Sequence, residues 1–252
     1  MDISFTSYRV LLFIWIGIAL SVFFLLLRIT APYGRHSSEK WGPMVDNHIG
    51  WMIMELPALT VMCYCLISAI SGPFVIIVMA GLFCLHYINR TVIFPFRIHT
   101  RGKKMPLVIV VSAVFFNLVN TFFLSWYFLH FSIYPDNYYT HPEFIAGIVL
   151  FFAGMYINWS ADNRLIRLRK PGETGYKIPQ GWLFSYISCP NLLGELIEWG
   201  GFAILCWNLP ALSFFIWSVA NLLPRALAHH RWYKTHFVDY PAGRKAIIPF
   251  LF

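Results

Sequence analysis

Seven stretches of this chain are apolar over roughly the length of a bilayer crossing, and a chain that carries them has very few folds open to it. About 20 apolar residues span about 30 Å of hydrocarbon as a helix, and the stretches near 9–27, 49–70, 73–89, 106–131, 143–162, 192–208 and 210–226 fit that length or approach it. Composition agrees. Of 252 residues 58% are hydrophobic and only 12% charged, against roughly 25% charged in soluble domains, so too little polar material is present to coat the molecule in water. Fifteen prolines and sixteen glycines inside the apolar runs do not oppose this, since both are frequent in membrane helices. The first run is too long for the core of a signal peptide, and no small-residue cleavage site follows it. The expectation is an all-α integral membrane protein, one bundle of seven transmembrane helices over residues 1–252. A variant with five long spans and two half-buried ones preserves the same sidedness, because 73–89 is short and the last run holds Pro210 and Pro224.

The charges fix an orientation. The connections at Ser71-Gly72, 132–142 and Asn208-Leu209 contain no Lys or Arg, and nearly all of the 19 cations lie in the other connections and the C-terminal tail. Under the positive-inside rule the N-terminus is then outside and the basic loops and tail cytoplasmic. This makes the net charge of +8 a matter of topology, lipid or a polyanionic cofactor, and not of nucleic acid. The five cysteines are odd in number, sit mostly inside apolar runs and form no CxxC pair; they are expected to be free core residues, with no metal site.

Ionisable groups inside a span cost at least about 2.5–3.5 kcal/mol each, so each marks a candidate site. Glu55 lies mid-span, two residues before Pro57. His86, Tyr87 and Arg90 close the third span. Asn158 and Asp162 stand one turn apart, Asn191 and Glu195 share a helix face, and Arg225, His229 and Tyr233 step by four so as to extend the last span toward the tail. Each has a plainer reading: Glu55 as a carboxylic acid gluing helices, His86 as a packing histidine, Asn158 with Asp162 as an end cap. Glu198 is the weakest of the set, expected to pair with a basic loop residue. Most of the 24 Phe face lipid. GxGxxG, GxxxxGK[ST], HExxH, GxSxG and repeated histidine boxes are all missing. What is left suits either proton-coupled transport or chemistry on a lipid-soluble substrate.

The stretches Gly81-Leu-Phe-Cys-Leu-His-Tyr-Ile-Asn-Arg-Thr91, Arg169-Lys-Pro-Gly-Glu173, Tyr176-Lys-Ile-Pro-Gln-Gly181, Asn191-Leu-Leu-Gly-Glu-Leu-Ile-Glu-Trp199, His229-His-Arg-Trp-Tyr233, Asp239-Tyr-Pro241 and Arg244-Lys-Ala-Ile-Ile-Pro-Phe250 resemble the steroid 5α-reductase family, most of all its vertebrate type 2 members. The likeness runs in order from about Tyr33-Gly34 to the C-terminus. It implies a seven-span enzyme that uses NADPH to reduce the 4,5 double bond of a 3-oxo-Δ4 steroid. The chemistry suits the residues: an enone accepts hydride at its β-carbon only if donors stabilise the carbonyl oxygen, and a carboxylic acid in apolar surroundings keeps a proton to donate. The resemblance assigns the 3-keto oxygen to Glu55 and Tyr87, and the NADPH pocket to Asn158, Asp162, Arg169, Tyr176, Asn191, Glu195, Arg225, His229 and Tyr233. Arg101 and Lys103 are expected at the phosphates and Trp199 near the nicotinamide. Tyr33, Met54, His86 and Arg90 are expected at the substrate. The steroid pocket would come mainly from residues 30–130, and the NADPH pocket from 158–252 and the cytoplasmic loops.

Three departures matter. Met54 stands where the vertebrate enzymes have Gln, which bears on the preferred steroid; Lys177 replaces Arg and gives up its bidentate fork; and the residues between Asn158 and Asp162 differ. Expected partners are a lipophilic steroid and the bilayer, with a monomeric chain, in the endoplasmic reticulum of a eukaryote or the inner membrane of a bacterium. The rival readings are a reductase of another lipid enone, a membrane methyltransferase using S-adenosylmethionine, and a proton-coupled transporter.

Overall fold

The computed structural model describes residues 3–98, 102–168, 173 and 175–251. Its long helices are α1 (Phe5–Arg28), α2 (Asn47–Ser68), α3 (Phe74–Ile88), α5 (Leu107–His130), α6 (Pro142–Arg167), α7 (Pro190–Cys206) and α8 (Leu209–His236). The third does not stop where its apolar run suggests. It passes through one turn of π-helix (Asn89–Ile93) into the short α4 (Phe94–Arg97), which makes a continuous 24-residue span. Among the described residues six helices are long and apolar enough to cross a bilayer. The other, α7, has 17 residues and lies among its neighbours, with Glu198, Trp199, Gly201, Phe202 and Leu205 buried. Two spans outrun their expected ends, at 162 and 226, by several residues: α6 reaches Arg167 and α8 reaches His236. Amphipathic turns continue them beyond the apolar runs.

Local chemistry sets the helix starts. The Asp46 carboxylate accepts the His48 and Ile49 N–H groups at the head of α2, and the Asn208 side chain accepts the Ala211 N–H at the head of α8. Pro142, Pro190 and Pro210 occupy first turns, where a missing N–H costs nothing. The last carbonyls of α7 are met from a loop: Tyr134 donates to Cys206 O at 2.7 Å and Tyr138 to Leu205 O at 3.1 Å.

α1 buries only one stripe, Tyr8, Leu12, Trp15 and Ala19, against Phe123 and Trp217, and exposes Val10, Phe13, Ile14 and Phe24. Such faces suit lipid. The main core lies among α2, α3, α5, α6, α7 and α8 around Phe83, Trp199, Phe202 and Phe214. α6 and α7 cross on glycine: a methyl on Gly154 would fall on the Glu198 backbone nitrogen, one on Gly194 on the Asn158 backbone nitrogen, and one on Gly147 on Leu205. With little hydrophobic drive between helices in lipid, close backbone packing of this kind is what joins them. Before α2 and α5 a two-stranded antiparallel pair, β1 (Met44–Asp46) and β2 (Lys104–Pro106), sets Met44 opposite Pro106 and Asp46 opposite Lys104. The tail folds back on the segment before α7, where Ser188 N–H donates to Lys245 O at 2.8 Å and Cys189 N–H to Ala246 O at 3.1 Å. All five cysteines are free.

Candidate active site

α1, α2, α3, α5, α7 and α8 enclose a cavity of about 630 Å³. Its walls are mostly apolar, with Ile18, Val22 and Leu25 from α1 and Val108, Ile109 and Phe116 from α5. The polar groups collect on one side. Glu55 and Tyr87 both face the cavity, and the amide of Asn117 lies between them. It donates to Glu55 Oε2 at 3.3 Å and to the Met54 carbonyl at 2.7 Å, while the Tyr87 hydroxyl donates to its Oδ1 at 3.2 Å. Pro57 cannot donate to the Ile53 carbonyl, so α2 is loosened just at this turn.

His86, Arg90, Glu195 and Trp199 complete this wall. His86 Nδ1 meets Glu198 Oε1 at 2.8 Å, with both side chains buried. Glu198 therefore pairs inside the bundle and not, as expected, with a basic loop residue; the glycine crossing of α6 and α7 turns it inward. Its Oε2 is buried without a hydrogen-bond partner among the described residues. Trp199 packs on His86, ring centres 4.5 Å apart. Arg90 lies over the rings of Trp51 and Phe94, at 4.8 Å from each, and within 3.9 Å of Asp162 Oδ2.

Behind Arg90 the expected amide and carboxylate set is assembled. Asn191 donates to Asp162 Oδ1 at 3.1 Å, and Asn158 donates to the Asn191 carbonyl at 3.0 Å. The Asn158 Oδ1 is buried without a partner among the described residues.

The end of the cavity beside α8 is cationic. Arg225 donates to Ala31 O at 2.9 Å and Tyr33 O at 2.7 Å and lies 3.7 Å above the Tyr33 ring, so it pins the 31–33 segment. Gly34 follows at φ +60, where a side chain would be strained. Arg35 sits among the rings of Tyr176, Trp232 and Tyr233 and donates to the Tyr233 hydroxyl at 3.1 Å; its Nη1 is buried without a hydrogen-bond partner among the described residues. Lys103 Nζ reaches the Tyr176 hydroxyl at 3.2 Å. His36 and His229 stack at 13° with their ring nitrogens 3.2 Å apart, so one donates and the other accepts. Burial, then the charges of Arg225 and Arg35, lower the His36 pKa to about 4. Among the described residues no carboxylate pairs with Arg35, Lys103 or Arg225. Lys177 turns away to an exposed pair with Glu173 at 2.6 Å.

Of the residues expected from sequence, the cavity gathers Tyr33, Met54, Glu55, His86, Tyr87, Arg90, Glu195, Trp199 and Arg225. Asn158, Asp162 and Asn191 stand behind it, and Lys103, Tyr176, His229 and Tyr233 form the basic end. Arg101 and Arg169 lie outside the described residues. Sequence reasoning missed Asn117, Arg35 and His36. Asn117 had a signal, an amide within a 24-residue apolar span; Arg35 and His36 had only their place in a basic loop.

Residues 103–252 match the family model described as 3-oxo-5-alpha-steroid 4-dehydrogenase. The 3-oxo-5-alpha-steroid 4-dehydrogenase 1 of Rattus norvegicus is 42% identical over 229 residues, 90% of this chain and 88% of the relative. The steroid 5-alpha-reductase DET2 of Solanum lycopersicum is 38% identical over 251 residues, 97% of each. The 3-oxo-5-alpha-steroid 4-dehydrogenase 2 of Homo sapiens is 40% identical over 241 residues, 93% of each. Agreement at this level over nearly the whole of both chains admits one conclusion, that this chain belongs to the 3-oxo-5-alpha-steroid 4-dehydrogenase family.

Proposed function

We propose that the protein is an integral-membrane reductase that adds hydrogen across the 4,5 double bond of a 3-oxo-Δ4 steroid, with NADPH as reductant. The observation that carries this reading is the pair Glu55 and Tyr87 on the polar wall of a mostly apolar cavity of about 630 Å³. The volume is in the usual range for a small-molecule site. A rigid, apolar steroid lies against the apolar walls from α1 and α5 and brings its ketone to the polar wall that holds Glu55 and Tyr87. In its protonated form Glu55 donates to the keto oxygen, and Tyr87 gives a second hydrogen bond. As negative charge grows on that oxygen both bonds strengthen, which lowers the barrier more than it tightens ground-state binding.

The other polar groups fit a dinucleotide phosphate. Arg35 Nη1 and Asn158 Oδ1 are buried without partners among the described residues, and a cationic, aromatic end without carboxylates suits phosphate and adenine together. Arg35 and Lys103, with Arg101 and Arg169, would hold the phosphates; Tyr176, Arg225, His229 and Tyr233 would frame them; Asn158, Asp162, Asn191 and Glu195 would hold the ribose and amide, with Trp199 as a flat wall. When bound, the dinucleotide supplies the hydride. The basic loops are then cytoplasmic, where the cofactor is.

Purified protein given NADPH and testosterone or progesterone should form the 5α-dihydro product, read by mass spectrometry. Glu55→Gln should lower kcat by about 10²–10³-fold, the usual loss when one oxyanion donor is removed. Wild-type turnover in that variant would overturn the donor role. Solute flux into sealed vesicles without NADPH oxidation would replace the reading with transport.

A further inference from the structure

We propose that Asn117 is the positioning residue of the ketone site: it decides which oxygen of Glu55 faces the substrate and holds the Tyr87 hydroxyl ready beside it. The inference rests on the reading of Glu55 and Tyr87 as ketone donors. Asn117 is 97% buried on α5, and its amide has one orientation. Its nitrogen lies 2.7 Å from the Met54 carbonyl oxygen, and reversing the group would set two carbonyl oxygens at that distance. Nδ2 must therefore face α2. One N–H goes to Met54 O and the other to Glu55 Oε2, 3.3 Å away, so both donors are used. Oδ1 is left facing Tyr87, whose hydroxyl donates to it at 3.2 Å.

Two consequences follow for the acid. In a carboxylic acid the carbonyl oxygen is the better acceptor, so an N–H at Oε2 makes Oε2 the carbonyl and Oε1 the hydroxyl. The proton of Glu55 is thereby assigned to the oxygen that Asn117 does not occupy. The backbone bond to Met54 holds Asn117 to the same turn of α2 that carries Glu55, so amide and acid move together. For Tyr87 the amide is a resting acceptor: the hydroxyl keeps a partner while the cavity holds no ketone, and a ketone placed between Tyr87 and Glu55 Oε1 takes that hydrogen bond over. A network satisfied before the substrate arrives needs little reorganisation as charge develops. The arrangement spans three helices, α2, α3 and α5, and among the described residues no other side chain hydrogen-bonds to both Glu55 and Tyr87.

Asn117→Leu keeps the volume and removes every polar contact, and Asn117→Asp keeps Oδ1 and removes the N–H donors. Both are made in the full chain and reconstituted in lipid. Per folded molecule, kcat for testosterone should fall about 10–100-fold, the range typical of removing an orienting partner, with a smaller change in KM. The infrared stretch of the 3-keto group, followed with carbonyl-labelled steroid bound, should move toward its value in apolar solvent in both variants. A merely structural asparagine would lower the unfolding temperature and leave that band in place. If both variants fold, keep wild-type kcat and leave the band unmoved while Glu55→Gln abolishes turnover, the role of Asn117 is wrong and the reading of the site stands. If the wild-type chain reduces no enone, the reading falls, and this inference with it.

Discussion

His36 shows at the scale of one residue what an unneutralised cationic pocket does. With Arg35 and Arg225 close by and His229 stacked on it, the ring is held neutral, its pKa lowered from 6.5 to about 4 by burial first and by those charges second. Between these two values the unfolded chain binds the proton and the folded chain does not, so stability is full above about pH 6.5 and falls as pH drops toward 4. The unfolding temperature in detergent should decline across that window, and His36→Asn should flatten the decline; an unchanged slope would remove His36 as its cause. A lone histidine in a basic loop carries no such information in sequence, because the arginines that act on it are Arg225, far along the chain, as well as Arg35 next door. Glu55 and Tyr87 were legible because acids and hydroxyls in apolar spans stand out. Asn117 was not. Asn120, one turn further along the same helix, looks identical in sequence, and it only accepts the Trp15 indole N–H at 3.1 Å and bonds back to the Phe116 carbonyl.

At the scale of elements, the glycine crossing of α6 and α7 matters most, because Asn158, Asp162 and Asn191 meet across it. Gly154→Ala and Gly194→Ala put a methyl on the opposite backbone and should cost about 1–3 kcal/mol by overpacking, and under the proposed function they should also weaken NADPH binding; thermal unfolding and an NADPH titration measure the two. Gly81→Ala meets nothing within 4 Å and should be neutral or stabilising by up to about 1 kcal/mol, as helix propensity favours Ala. All seven long helices could be read from apolar runs, because exclusion of water leaves a run of that length few other forms. Some of their ends could not. The π turn at Asn89–Ile93 and the polar last turns of α6 and α8 depend on neighbours that hydropathy does not see, and the crossing glycines look like any others until two helices are laid together.

The whole molecule joins two unlike environments. The cavity is walled by Ile18, Val22, Leu25, Val108 and Ile109 from α1 and α5 and also by Tyr33 and Arg225, so apolar and cationic surfaces share one space. The apolar excess and the basic loops are both plain in the sequence, but that they wall one cavity depends on how the helices are assembled. One device of that assembly is the strand pair ahead of α2 and α5. Because β1 and β2 are locked in register, both helices start from one fixed strand pair: Glu55 comes nine residues after Asp46 and Asn117 eleven after Pro106, about 13 and 16 Å of helical rise. The strands thus act as a gauge for depth and phase. One alanine inserted after Asp46 would turn Glu55 by about 100° away from Asn117 and should abolish turnover even in folded protein, whereas the same insertion after the exposed Ile133 should be tolerated. A site deep in the membrane is in this sense calibrated at the surface, and length changes at that surface are errors in its timing.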